Sequence, residues 1–422
     1  MVDKRNISFQ AEAWDILQYL FKVKKINDHM LHFAAEFSGK IDVEQLKTAV
    51  NLSADVFPLI ACRFTESESR PLWKDGSYTA KEIVTCSETD ETDKRVNDFI
   101  CTEIDAFVGP QVKLQVIRNG DNDTLVVLMN HMLCDAAGFK DYLYLLSDIY
   151  SNLEENPDYC AQTSGSRRIC QVFKAFSMYD KLKVISSKNN MSIHDPAAFE
   201  LIGDLKNPFI EQRKIPHDMF CQLKTYVKKH NATVNDLFLS AYIRSLYKKF
   251  GYAVTIPCTV DLRKYLVSHK AEGICNLCTN LSCNIGQEIG AAFDQTLDKV
   301  KQAMNREKSS TSCLKSITLL EKVFDILPYK MAKKIVDKSF SNAPIAFTNI
   351  GVLEKSRLTF GRSKIAEAYM TGSIKYAPYF QLAVSTFDDE ATLSVNLYGT
   401  QSDRNKVSLF LDGIVHELQI IV

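Results

Sequence analysis

The chain has 422 residues, 46% hydrophobic and 24% charged, with 51 basic and 51 acidic side chains. It is long enough for two ordinary globular domains, and zero net charge offers no electrostatic footprint for nucleic acid or an anionic membrane. Residues 1–10 lack a signal-peptide pattern. No apolar run approaches the ~18 residues that span a bilayer, so the expected location is the cytoplasm.

In chain order, the segment IDVEQLKTAVNLSADVFPLIACRF, residues 41–64, opens with a helix. Asp42 caps it, Val43, Leu46 and Val50 share a face, and Pro58 separates it from a strand expected at Leu59–Phe64. QVKLQVIRNGDNDTLVVLMN, residues 111–130, reads as a hairpin turning at NGDND. Helical spacing follows over Phe139–Tyr150. The polar stretch Ser151–Arg168, with Pro157 and Gly165, is the best domain boundary. Residues 216–251 read as two helices, the second capped at Thr233 or Asn235 and ended by Gly251. AVTIPCTVDLR, GICNLCTNLSCNIG and NAPIAFTNIG read as extended pieces. FQLAVSTFDDEATLSVNLYG is a second hairpin, turning at Asp388–Glu390, and a helix closes the chain. The fold class is therefore α/β with mixed sheets rather than one parallel sheet.

Twelve cysteines without a secretory signal imply reduced thiols. Cys62, Cys101 and Cys258 lie in apolar contexts and read as core residues. Cys275 and Cys278 have C-x-x-C spacing, and Cys283 follows. No fourth ligand of matching spacing lies near, so strand thiols are expected and no metal site. The sequons at Asn6, Asn51, Asn231 and Asn280 carry weight only in a secreted chain.

Dinucleotide, Walker, G-x-S-x-G and H-E-x-x-H signatures are absent. What remains is NHMLCDAAG, residues 130–138. His131 stands where a buried strand ends, a rigid mount for a side chain whose ordinary pKa suits proton transfer near neutrality. Read alone, such a histidine is several times more often a hydrogen-bonded core or surface residue of no catalytic role. Asp135 reads alone as the N-cap of the next helix.

NHMLCDAAG resembles the HHxxxDG motif of the superfamily that holds chloramphenicol acetyltransferase, nonribosomal peptide synthetase condensation domains, plant BAHD acyltransferases, and wax ester and mycobacterial polyketide-associated acyltransferases. Further segments resemble that superfamily in the same order: residues 39–64, HNATVNDLFLSAYIRSL, the D-x-R strand VTIPCTVDLRKYL, GICNLCTNLS and FTNIG. The resemblance runs from about Ile7 to the C-terminus. It implies two chloramphenicol-acetyltransferase-like subdomains, residues 1–160 and 161–422, set in a V with the active-site tunnel between them. It further implies acyl transfer from a thioester to a hydroxyl or amine acceptor without an acyl-enzyme, with His131 as general base. Asp135 would pair with Arg263 of the D-x-R strand and fix the histidine loop. Thr348 and Asn349 of FTNIG are candidates for the oxyanion, and a strand end plus turn is their equal alternative.

Implied with this are acyl-CoA as co-substrate, no bound cofactor, a small-molecule alcohol or amine acceptor, and a monomer that completes its own site. The alternatives are a stand-alone condensation-like enzyme whose acyl donor rides on an acyl or peptidyl carrier protein, or a degenerate binding member. Two positions depart from the motif. Asn130 replaces its first histidine, and Ala136 stands where the glycine belongs, with Gly138 two residues on. A turn requiring positive φ at residue 136 would be reshaped by alanine. The BAHD branch's DFGWG segment is missing.

Overall fold

The computed structural model describes residues 8–161, 165–187, 197–339 and 342–422. The sequon at Asn6, the start of the resemblance at Ile7 and residues 162–164 of the expected boundary lie outside them. Both hairpins form where their turn chemistry directs. Val112–Asn119 pairs antiparallel with Asn122–Asn130, closing at Gly120 with φ +58°. Phe380–Phe387 pairs with Glu390–Tyr398 across Asp388 and Asp389, at φ +47° and +59°. Aspartate tolerates that left-handed conformation, and its twist matches paired strands.

The first hairpin is the centre of a five-stranded sheet. Its order is Lys364–Thr371, Met30–Ser38, Asn122–Asn130, Val112–Asn119, Val84–Glu88, antiparallel except for the last pair. The edge strand Lys364–Thr371 is thus supplied by the second half of the sequence, and the first sheet is not closed by its own half. The second hairpin lies in a seven-stranded mixed sheet containing Ile256–Asp261, Cys278–Cys283 and Ile345–Leu353. Ser8–Gln10, Leu72–Asp75 and Cys62–Thr65 form a small third sheet. Each large sheet carries its own core: Phe33, Phe37, Leu125, Val127 and Met129 in the first, and Phe238, Tyr242, Phe347 and Leu382 in the second.

The helix after the first hairpin runs from Ala136 to Glu155 and is longer than expected. Thr233, not Asn235, caps the helix Val234–Phe250, in a capping box with Asp236, and Gly251 ends it at φ +80°. The strand expected at Leu59–Phe64 starts only at Cys62. Pro58 opens a 3-10 turn over Pro58–Ala61, because its fixed φ suits a first helical position and its missing N–H weakens a strand. Cys62 and Cys258 are buried, whereas Cys101 is only partly so. No helix among the described residues is long and apolar enough to cross a membrane.

Candidate active site

Asn130 ends its strand fully buried. Its Nδ2 donates to Gln111 Oε1 at 2.6 Å, and its Oδ1 accepts from Met132 N at 2.9 Å, which turns the chain immediately after the strand. An amide supplies a donor and an acceptor together, which this corner needs. The His131 backbone N–H donates to His29 O at 2.8 Å.

The loop that follows is clasped from outside its own sheet at residues 131–133 and 135. Asn276 Nδ2 donates to the carbonyls of His131 and Met132, each at 3.1 Å. Arg167 Nη2 donates to the Leu133 carbonyl at 2.8 Å and is itself held by Asp15. Asp135 N donates to Cys275 O at 3.4 Å. The Asp135 side chain, 4% exposed, accepts from Gly138 N at 2.8 Å through Oδ1. Its Oδ2 accepts from Leu277 N at 2.7 Å and from Arg263 Nη1 at 3.0 Å. Asp135 is therefore at once a helix cap and a strut between the two halves. Arg263, 6% exposed, also donates to Asp261 Oδ1 at 3.1 Å and to Cys275 O at 3.2 Å. Burial alone would raise the Asp135 pKa, but the Arg263 guanidinium and two backbone N–H donors hold it below the usual 3.8.

Ala136 has no positive φ and begins the helix in ordinary geometry. The loop makes its demand for glycine at Gly138 instead. A Cβ there would lie 2.7 Å from Cys275 O and 2.8 Å from Cys134 Cβ. Gly138 is what lets the segment 275–277 approach the histidine loop.

The clasped loop faces a cavity of about 190 Å³. Trp14, Leu17, Leu31 and His131 line it from the first half, and Pro257, Thr259, Asn280, Ala346 and Thr348 from the second. His131 Nδ1 is sealed from solvent. That leaves Nε2 as the ring nitrogen able to reach the cavity. Burial lowers the His131 pKa below 6.5, and the nearby Lys375 charge acts in the same direction. The residue's own carbonyl and Asp135 partly oppose them. The imidazole is neutral at pH 7, the state that accepts a proton.

The other expected residues divide. Thr348 lines the cavity. Asn349, its neighbour on the strand, does not; its Oδ1 accepts from Gly351 N at 2.9 Å and shapes the turn. Alternation along a strand separates such neighbours. Tyr379 and Phe380 line the cavity, while Tyr376 stacks on Tyr398 with centroids 4.3 Å apart. Cys278 and Cys283 lie on one strand, whereas Cys275, expected on a strand as well, precedes it in irregular backbone; burial pushes all three thiols upward.

Residues 276–422 match the family model of the WS/DGAT C-terminal domain. No curated protein matches the chain. Among solved structures, trichothecene 15-O-acetyltransferase from Fusarium sporotrichioides is similar over 99% of this chain and 95% of its own, with a TM-score of 0.73 and 12% identity. The first condensation domain of the calcium-dependent antibiotic synthetase, solved with a substrate analogue, covers 98% of this chain and 96% of its own, at 0.72 and 12%. Polyketide synthase associated protein 5 from Mycobacterium tuberculosis covers 97% and 96%, at 0.66 and 12%. The chain thus shares its fold with these acetyltransferases and condensation domains, and its C-terminal third matches the WS/DGAT C-terminal domain.

The histidine loop is held with two residues that the sequence did not single out for that task. Arg167 lies in the polar boundary stretch, where an arginine looks like solvated linker. Asn276 sits inside the C-x-x-C spacing, where cysteines draw the eye. Neither signals its distant partner, and only the packed fold brings them to residues 131–133.

Proposed function

We propose that the chain moves an acyl group from acyl-CoA to a hydroxyl or amine acceptor, with both substrates together in the cavity and no acyl-enzyme. His131 Nε2 takes the proton from the acceptor O–H or N–H as that atom attacks the thioester carbonyl carbon. The tetrahedral adduct collapses, the C–S bond breaks, and the leaving thiolate recovers the proton from the imidazolium. Ester or amide and free CoA result, so atoms and charge balance. Asp135 and Arg263 act on His131 only through the loop they hold. The Thr348 hydroxyl is the cavity donor assigned to the oxyanion, an interaction worth about 3 kcal/mol in the transition state; Asn349 has no part in this reading.

The observation that carries the proposal is a partly exposed histidine with a lowered pKa, opening onto the cavity between the sheets while its loop carbonyls are tied down by Arg167 and Asn276 of the second half. A merely structural histidine has no need of such a mount. The test is acceptor-dependent release of free CoA, followed with a thiol reagent across acyl-CoAs and pooled alcohols and amines, for wild type and His131→Ala. Release by wild type that disappears in a stably folded His131→Ala supports the reading, and full activity in the variant refutes it. No release from any acyl-CoA transfers the case to a carrier-protein donor, and failure there to a non-catalytic binding protein.

A further inference from the structure

Lys375 is a second titratable group in the wall of the same cavity, and the mechanism above does not use it. The segment that carries it is pinned on both sides. Asp28 N donates to Ile374 O at 3.0 Å, Ile374 N donates to Asp28 Oδ1 at 2.9 Å, and Tyr376 N donates to Ile26 O at 3.2 Å. Ser373 and Lys375, two residues apart, both line the cavity. The ammonium of Lys375 makes no ion pair and no hydrogen bond with any described residue. Asp28 is its electrostatic counterpart, but it forms no ion pair with the ammonium: its Oδ1 accepts from the N–H groups of Met30 and Ile374, and its Oδ2 is buried without a hydrogen-bond partner among the described residues. The Ser373 hydroxyl is likewise buried without a partner. Asp135, the other charged residue of the wall, is fully engaged by Arg263 and backbone donors.

Burial of an unpaired cation is costly, and here it brings the Lys375 ammonium down to about 8. An unpaired donor pair held on locked backbone, beside His131, is a site awaiting an anion. We propose that Lys375, with Ser373, docks a carboxylate carried by one of the two substrates. The carboxylate is either that of an amino or hydroxy acid acceptor or the free end of a dicarboxylic acyl thioester. The word substrate rests on the acyl-transfer reading, but the docking does not require turnover.

The test uses the full chain and a small neutral acylating reagent at low dose, with labelling of Lys375 followed by peptide mass spectrometry. A panel of amino and hydroxy acids is set against the matching primary amides, and succinyl-CoA against butyryl-CoA. The expected result is that at least one acid slows labelling of Lys375 by about tenfold or more while its amide does not, and that Ser373→Ala weakens the protection several-fold. Protection by free acids assigns the carboxylate to the acceptor; protection by succinyl-CoA alone assigns it to the donor. Equal protection by acids and amides, or none from any acid or from succinyl-CoA, overturns the proposal. Lys375 protected without CoA release leaves the docking standing and sinks the acyl-CoA reading. CoA release with Lys375 unprotected does the reverse.

Discussion

Replacing Arg263 by alanine removes the only side-chain cation bonded to Asp135 among the described residues, and Asp135 is 4% exposed. Two backbone donors, Gly138 N and Leu277 N, remain on it, so the carboxylate is not wholly orphaned. Breaking a buried pair from one side costs about 3–5 kcal/mol, and the surviving donors place this case near ~3 kcal/mol. Asp135 has its pKa held below 3.8, so its share of stability is present above that value and is lost as pH falls through the lowered folded value. Arg263→Ala should therefore flatten the acid limb of the stability curve as well as lower its plateau. The assay is urea unfolding at pH 7 and across the acid range, on wild type, Arg263→Ala, Asp135→Asn and the double variant. A coupling energy of about 1–3 kcal/mol is expected between the two positions. A loss below about 1 kcal/mol in Arg263→Ala, or single losses that simply add, would refute the view of the pair as a strut.

Two other outcomes follow from the geometry. The pH profile of kcat/KM should rise through an apparent pKa below 6.5, because His131 must be neutral to accept a proton and burial lowers its value; a limb at or above 6.5 refutes His131 as the base. Gly138→Ala should cost about 1–3 kcal/mol in unfolding measurements, because its Cβ meets the Cys275 carbonyl at 2.7 Å; a neutral effect contradicts the close approach.

What was legible in the sequence was local. NGDND and DD encode their turns, and Thr233 with Asp236 encodes a helix start, because each works within four residues. His131, Asp135 and Arg263 were legible through motif and order, although Arg263 reaches Asp135 from 128 residues away. Arg167, Asn276 and the strand Lys364–Thr371 were not, since each acts only on partners distant in sequence. Lys375 was hidden for another reason. A lysine at a strand start reads as solvated, and only the pinning of residues 374 and 376 directs attention to the cavity beside it.

The clasp on residues 131–135 also bears on when the chain becomes competent. A nascent chain can complete the strand Asn122–Asn130 and present His131 long before Arg263 and Asn276 have been synthesised. Its histidine loop then lacks every tie that the later residues provide. The loop reaches its clasped geometry only on docking of the second half, so the clasp is a readout of complete assembly. A chain stalled or cleaved between the halves keeps the residue and loses its mount.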